Sequence, residues 1–493
     1  MSPHRRSGVF LHVTALPGPH GVGDLGAGAH SFLSFLERAD QSLWQFCPLG
    51  PTSAPHGHSP YGSYSAFAGN PLLVDLTDLA ERGWLDDDEA AQPDWTDPHE
   101  VDYDRVAEFK RDRLWSAFEG FEASADDDER EAFEAFRAET EWLEDFTLFA
   151  TLKEVHDGAW TDWPDDLAGR DEAAMAAARE NHAETVDYHA FVQWVFDQQW
   201  ARLREAAADH GVDLVGDLPI YVAADSADVW ASPEAFQLDA SGKPEVVAGV
   251  PPNPGDGQVW GNPLYDWDHL RETGYQWWVD RLDRLLSQVD LARIDHFKGF
   301  DEYWAVPADA GSAAAGEWRD VPGVDFFETV RAELGELPFV VEDLGFLDEG
   351  VVGLRDRFDF PGMYVPLYAN WCNDGDRYKP TNYPDNAVAY TSTHDSDTVV
   401  GWYRELNDRQ RECVNYALAT DGDSIAWDLL EAVWHSEART VLTTMPDLLE
   451  LGSEAQFNVP GTTEGNWRWR VTEEALDEDL AGRLAGLTVS AMR

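Results

Sequence analysis

Three acids, Asp295, Glu342 and Asp395, each stand at the end of a short β-type run: residues 291–295 (LARID), 339–342 (FVVE) and 387–395 (AVAYTSTHD). Glycosidic-bond chemistry needs two carboxyl groups converging on one bond, one to attack or stabilise and one to deliver a proton. Apolar runs ending in an acid or a histidine also match barrel strands, whose C-terminal ends carry the active site. Asp343 competes with Glu342 for the role, but strand alternation sends neighbours to opposite faces, so one of the two is structural. His12 and His296 read as packed or hydrogen-bonded barrel histidines, and Asp397 as a supporting or capping residue.

Eight β-type runs are available to position these acids: residues 8–14, 42–49, 212–220, 291–297, 339–344, 363–367, 387–394 and 456–459. Several are apolar almost throughout, as strands covered on both faces must be. Helical periodicity lies between them. In residues 274–290, Tyr275, Trp278, Val279, Leu282, Leu285, Leu286 and Val289 share one face, with Arg281, Asp283 and Arg284 on the other. Alternating strands and helices argue for an α/β chain with a parallel sheet, and eight strands for a (β/α)8 barrel.

Two connections are too long for a simple crossover. Residues 77–205, between the second and third runs, read as a mainly helical insertion, with helices near 131–155 and 188–208. Residues 223–274 form a second insertion, rich in Gly, Pro and Asn, whose segment 249–262 reads as an irregular loop covering substrate. The signals run out near Leu487, so a separate C-terminal β-sandwich is not expected, and the 493 residues read as one catalytic domain.

Charge excludes one class of partner. Asp and Glu number 94 against 35 Lys and Arg, a formal net charge of −59, and phosphate contacts need a basic surface. Such a chain repels itself at low salt, whereas at about 1 M salt the screening length falls to about 3 Å. This reads as adaptation to a very salty cytoplasm. No calcium-loop spacing such as D-x-D-x-D-G occurs, so the acid runs at 86–89 and 126–131 read as solvated surface and no metal is expected. Three scattered cysteines, Cys47, Cys372 and Cys413, suggest neither a disulfide framework nor a metal site, with Cys47 a core residue. The start MSPHRRSGVFLHV lacks a signal-peptide core and no 18-residue apolar stretch follows, so no membrane partner is expected. The spacing GVGDLG at Gly21, Gly23 and Gly26 is only a weak phosphate-loop signal and is read as structural.

Eight stretches, in order from end to end, resemble the amylomaltase (disproportionating) type of 4-α-glucanotransferase, glycoside hydrolase family 77. They are GVFLHVTALPGPHGVGDLG (8–26), SPYGSYSAFAGNPLLVDL (59–76), GDLPIYV (216–222), QVWGNPLYDW (258–267), ARIDHFKGF (292–300), VVEDLG (340–345), TSTHDSDT (391–398) and FNVPGTTEGNWRWR (457–470). The resemblance implies a retaining transfer of α-1,4-glucan segments on a (β/α)8 barrel, with maltodextrins or glucose as acceptor and no metal or organic cofactor. By position it implies Asp295 as nucleophile, Glu342 as general acid/base and Asp395 as transition-state stabiliser.

The chemistry agrees with these assignments. Arg293 is suited to keep Asp295 ionised if the pleat turns both inward, and the apolar run before Glu342 should raise its pKa. A retaining route requires the Asp295 and Glu342 carboxyls roughly 5–5.5 Å apart, an inverting one roughly 6.5–9.5 Å. Tyr61 and Trp260 could stack on sugar faces. Ser59, Asp217, Gln258, Arg293, His394 and Asn458 could bind hydroxyls. One departure from the family pattern is Asn253-Pro254-Gly255-Asp256, where an aromatic-containing segment often precedes the Gly-Gln. The rival readings are an α-glucan hydrolase of the amylase type and a catalytically silent glucan-binding protein. The charge generates a direct test: activity and native tryptophan fluorescence are expected to be lost in salt-free buffer and held in multimolar KCl, and full activity without salt would contradict the salt-adaptation reading.

Overall fold

Short runs buried on both faces become the staves of a closed barrel in the computed structural model, which describes residues 5–252, 257–345 and 347–493. In chain order the strands are β1 (Arg6–Phe10), β2 (Leu43–Gln45), β3 (Asp213–Leu218), β4 (Val246–Val250), β5 (Gln258–Pro263), β6 (Leu291–Ile294), β7 (Glu302–Pro307), β8 (Glu317–Asp320), β9 (Phe339–Val341), β10 (Gly362–Tyr364), β11 (Ala387–Tyr390) and β12 (Thr440–Thr444). The barrel closes in the order β1-β12-β11-β10-β9-β6-β3-β2, with every pairing parallel. It is the expected α/β (β/α)8 architecture.

The pleat sorts the side chains. Leu43, Val215, Leu291, Val340, Val388 and Leu442 pack together in the barrel interior. Their neighbours Trp44, Leu214, Ala292, Val341 and Ala389 belong to the large outer core shared with the helices. A period of two then carries Asp217, Arg293 and Glu342 onto the interior face, one step above Val215, Leu291 and Val340. The register pairs Asp217 with Arg293 across β3 and β6, and Arg293 with Val340 across β6 and β9.

The eighth stave is not where the sequence suggests. Residues 456–459 form no strand; the barrel is closed by β12, the hydroxyl-rich run TVLTT. Its threonines are buried because they find hydroxyl partners there, Thr443 on Thr391 at 2.9 Å and Thr444 on Ser392 at 3.1 Å. Residues 456–459 instead run as loop, with Phe457 edge-on to Phe10 at 5.3 Å and the Asn458 amide donating to the His394 carbonyl.

The segment read as an irregular covering loop is also more regular than expected. Strands β4, β5, β7 and β8 form a four-stranded antiparallel sheet in the order β5-β4-β7-β8. Asn253 to Asp256, the departure noted above, lie outside the described residues. Between β2 and β3 the chain is mainly helical, but the stretch expected as one helix at 131–155 is two, Asp127–Glu139 and Leu143–Val155. Helix Gln276–Gln288 forms as its periodicity predicts, except that Arg281 is buried rather than solvated. Its guanidinium donates to the Ile220 carbonyl and the Tyr265 hydroxyl and lies 4.9 Å from the Trp278 ring, so a polar position on the helical wheel becomes a core one. The glycines of GVGDLG are structural: Gly21 has φ +78°, and a Cβ on Gly23 would lie 2.0 Å from the Val13 carbonyl oxygen.

Cysteine usage needs a correction as well. Cys372 and Cys413, 41 residues apart, are disulfide-bonded, whereas Cys47 is buried and free. The bridge joins the loop after β10 to helix Asp408–Leu418, a contact that no sequence spacing announces. Bridges are uncommon in reducing compartments, so this one pulls against a cytoplasmic location. Closing a loop of that length contributes roughly 4 kcal/mol in the chain-entropy picture. Cys413→Ser is therefore expected to lower the unfolding midpoint of the oxidised protein and to leave the midpoint in reductant unchanged; equal midpoints without reductant would remove the bridge from the stability argument.

Candidate active site

The interior face opens at the C-terminal ends of β3, β6, β9 and β11, and the three acids converge there. Asp295 directly follows β6, and its amide still donates to the Leu218 carbonyl of β3 at 3.0 Å. Glu342 directly follows β9, with its amide on the Ile294 carbonyl at 2.9 Å. Asp295 and Glu342 therefore sit at the ends of hydrogen-bonded neighbouring strands.

Arg293 is the hub. Its guanidinium, buried beneath the mouth, lies 2.9 and 2.8 Å from the two Asp217 oxygens and 2.9 Å from Asp295 Oδ1. Asp217 also accepts from the Tyr61 hydroxyl at 2.8 Å, and that hydroxyl is 2.8 Å from His394 Nε2. His394 Nε2 is in turn 3.2 Å from Asp395 Oδ2, while Asn458 Nδ2 donates to Asp395 Oδ1 at 2.6 Å. One continuous polar chain thus runs from Asp295 through Arg293, Asp217, Tyr61 and His394 to Asp395 and Asn458.

Glu342 lies beside this chain and is held differently. Its carboxyl accepts from two backbone amides, His296 at 2.8 Å and Leu344 at 3.1 Å. His296 presents that amide from the left-handed region, φ 49°. Burial pushes the Glu342 pKa up to about 7; Arg293 opposes this and the Asp295 charge adds to it, with the two amides too weak to reverse it. Burial also acts to raise the Asp395 pKa, but the His394 charge and the bonds from His394 and Asn458 outweigh it and hold Asp395 well below the usual carboxylate range. Burial would lower the His394 pKa, yet Asp395 beside it prevails and raises it. Glu342 and Asp395 thus differ in kind, the one biased toward holding a proton and the other toward staying charged.

Asp343 is the structural member of its pair: it is buried, accepts from the Met363 amide at 2.8 Å and pairs with Arg355 at 2.7 Å. His12 is packed, and burial with the nearby His394 charge pushes its pKa down to about 3. Asp397 accepts from the Ser453 hydroxyl at 2.7 Å and supports the loop.

The other candidates fall into two groups. Tyr61 stacks on His394 with ring centres 5.2 Å apart, so one ring face is already taken. Ser59 caps its own turn by accepting from the Tyr61 amide, and the contacts described for it reach the acids only through Tyr61. Gln258 and Trp260 lie on exposed strand β5 and bond to each other at 2.8 Å. The Trp260 ring is edge-on to His296 at 4.9 Å, which brings it beside the residue that holds Glu342.

Sequence reading missed Tyr368. Burial, and then the Asp395 and Glu342 charges, push its hydroxyl pKa up to about 12, yet 49% of the residue is exposed. A tyrosine directly after the β-type run 363–367, in the turn Pro366–Tyr368, was the available signal. Two acidic groupings could suggest a cation, His20 with Asp24 and Asp75, and Asp301 with Glu302 and Asp348. Each already holds a lysine: Lys110 on Asp24, and Lys298 on Glu302 and Asp348.

The profile of the 4-alpha-glucanotransferases, glycoside hydrolase family 77, matches residues 11–476. The chain belongs to this family. It is 44% identical to the 4-alpha-glucanotransferase of Thermus thermophilus over 503 residues, covering 99% of each chain. It is also 44% identical to that of a Synechocystis strain over 497 residues, covering 99% of this chain and 98% of the relative. In structure it is similar to the amylomaltase from Streptococcus agalactiae in complex with acarbose, with a TM-score of 0.96, 36% identity and 99% of each chain covered.

In this glucanotransferase fold the Glu342 proton has a consequence for stability. With the native pKa raised from 4.5 to about 7, the folded state holds a proton the unfolded chain has lost, so stability falls as pH rises through that window. A glutamine is neutral throughout. Glu342→Gln is expected to raise the unfolding midpoint relative to the parent more at pH 8 than at pH 4.5, and an identical difference at both pH values would remove the proton from Glu342.

Proposed function

We propose that this chain transfers α-1,4-glucan segments between maltodextrins, or to glucose, by a retaining double displacement. The observation that carries the reading is the pairing at adjacent strand ends of Asp295, salt-bridged to Arg293, with Glu342, whose pKa lies near 7. In the first step an Asp295 oxygen attacks the anomeric carbon while the glycosidic C–O bond breaks and the Glu342 proton passes to the departing 4-oxygen. In the second, Glu342 removes the proton from the 4-hydroxyl of an acceptor, that oxygen attacks the same carbon, and the ester bond to Asp295 breaks. Asp395, fixed by His394 and Asn458, binds hydroxyls of the ring that becomes oxocarbenium-like. Asp217, Arg293 and Tyr61 hold the sugar from below, and Ser59 sets the turn carrying Tyr61.

Transfer outruns hydrolysis only if an acceptor reaches the ester before water does. Exposed Trp260, oriented by Gln258, and exposed Tyr368 supply apolar faces that favour a sugar there over water. The helical insertion at 77–205 and the insertion at 223–274, with its covering segment 249–262, would wall the acceptor side. We place the enzyme in a salt-rich environment, where a net charge of −59 is screened.

Maltotriose in multimolar KCl is expected to yield a ladder of longer maltodextrins plus glucose with little net gain in reducing ends. Glucose and maltose alone, with reducing ends rising, would instead make the chain a hydrolase. Glu342→Gln is expected to lower turnover by about 10²- to 10⁴-fold, and unaltered turnover would reject its acid/base role.

A further inference from the structure

Asp447 is a buried acid, 1% exposed, in the short helix Met445–Leu448 directly after β12. Its Oδ2 accepts from the Thr391 hydroxyl at 2.6 Å and the Ser392 hydroxyl at 2.5 Å, and its Oδ1 accepts from the Val399 amide at 2.8 Å. The first two donors directly precede residues 393–398 and the third directly follows them. Those six residues are the arch that carries His394 and Asp395. Strand pairing does not hold this arch, because β11 ends at Tyr390 and Thr391 makes the last ladder bond, to the Leu442 carbonyl at 3.1 Å. One carboxylate therefore ties both feet of the arch to the base of the neighbouring helix.

We propose that Asp447 is a positioning residue for the transition-state step, fixing Asp395 through the arch 393–398. The inference rests on the reading of Asp395 as the stabilising acid. A carboxylate suits the task because it accepts at both oxygens and donates at neither. An asparagine has one acceptor oxygen, so if that oxygen keeps the Val399 amide, its NH2 faces the two hydroxyls, which must turn from donors into acceptors and reorder their bonds with Thr443 and Thr444. The arch would then shift, and a displacement of about 1 Å costs on the order of 10²-fold in rate when it misaligns a catalytic group. The loss should fall on kcat, since Asp395 acts in the transition state more than in substrate binding.

The test is a double-mutant cycle of Asp447→Asn with Asp395→Asn, read as kcat and KM for transfer from an activated maltosyl fluoride donor. Asp447→Asn alone is expected to lower kcat by about ten- to a hundredfold with KM within about twofold, and to have little further effect once Asp395 is Asn. Unchanged kcat in the single variant overturns the proposal. So does an equal loss in both backgrounds, which would mark Asp447 as a general fold stabiliser. If Asp395→Asn alone is harmless, the stabiliser reading falls, and the positioning role with it. Ser392→Ala removes one donor and keeps the carboxylate. In the same cycle it is expected to show a smaller loss confined to the Asp395 background, which keeps the proposal open to refutation where Asp447→Asn does not fold.

Discussion

The Arg293 guanidinium, clamped between Asp217 and Asp295, is the interaction from which the site is built. A cation buried at the top of a barrel is costly unless its partners are close and well aligned, and stripping one side of such a pair typically costs about 3–5 kcal/mol. Here the alignment comes from backbone register, because Asp217 and Arg293 are cross-strand partners on β3 and β6. Two residues along β6, the pleat returns Asp295 to the same face and to the same guanidinium. Asp217, once fixed, orients the Tyr61 hydroxyl, and Tyr61 orients His394. A single strand register thereby sets the geometry of residues drawn from four separate parts of the chain.

The same cluster explains why the acids behave differently. Four carboxyl groups, Asp217, Asp295, Glu342 and Asp395, crowd around two cationic side chains, Arg293 and His394. Arg293 contacts Asp217 and Asp295, and His394 contacts Asp395, while Glu342 is held, among the described residues, by backbone amides. Burial, with the Asp295 charge added to it, then favours the protonated form of Glu342 over the charged one. Glu342 is thus set apart by its burial and by what its neighbours have already claimed.

Much of this was legible in sequence because β-structure has a short period. LARID, FVVE and AVAYTSTHD each show the acid that closes a β-type run, and the pleat says that Glu342 and Asp343 face opposite ways, with the structure then turning Asp343 to Met363 and Arg355. What was not legible depended on partners distant in the chain. TVLTT looks too polar for a buried strand until Thr443 and Thr444 meet the hydroxyls of Thr391 and Ser392. The apolar residues near 456–459 mimic a strand, yet Phe457 is buried by packing on Phe10 from a loop. Arg281 obeys the polar side of the helical wheel but finds the Ile220 carbonyl and the Tyr265 hydroxyl in the core. The Cys372–Cys413 bridge and the site-facing Tyr368 depend in the same way on how the loop after β10 is laid down.

The extreme charge and the site electrostatics are separable for a physical reason. Mobile ions screen charges that water reaches, so concentrated salt quenches repulsion among the exposed acids. Arg293 and Asp217 are almost wholly buried and in direct contact, leaving no room for an ion between them. Of the five lysines, Lys110, Lys153, Lys298 and Lys379 are engaged in ion pairs, Lys110 buried against Asp24, whereas Lys243 is exposed. A change in salt should then act on whether the barrel holds together far more than on how Arg293 arranges Asp295 once it does.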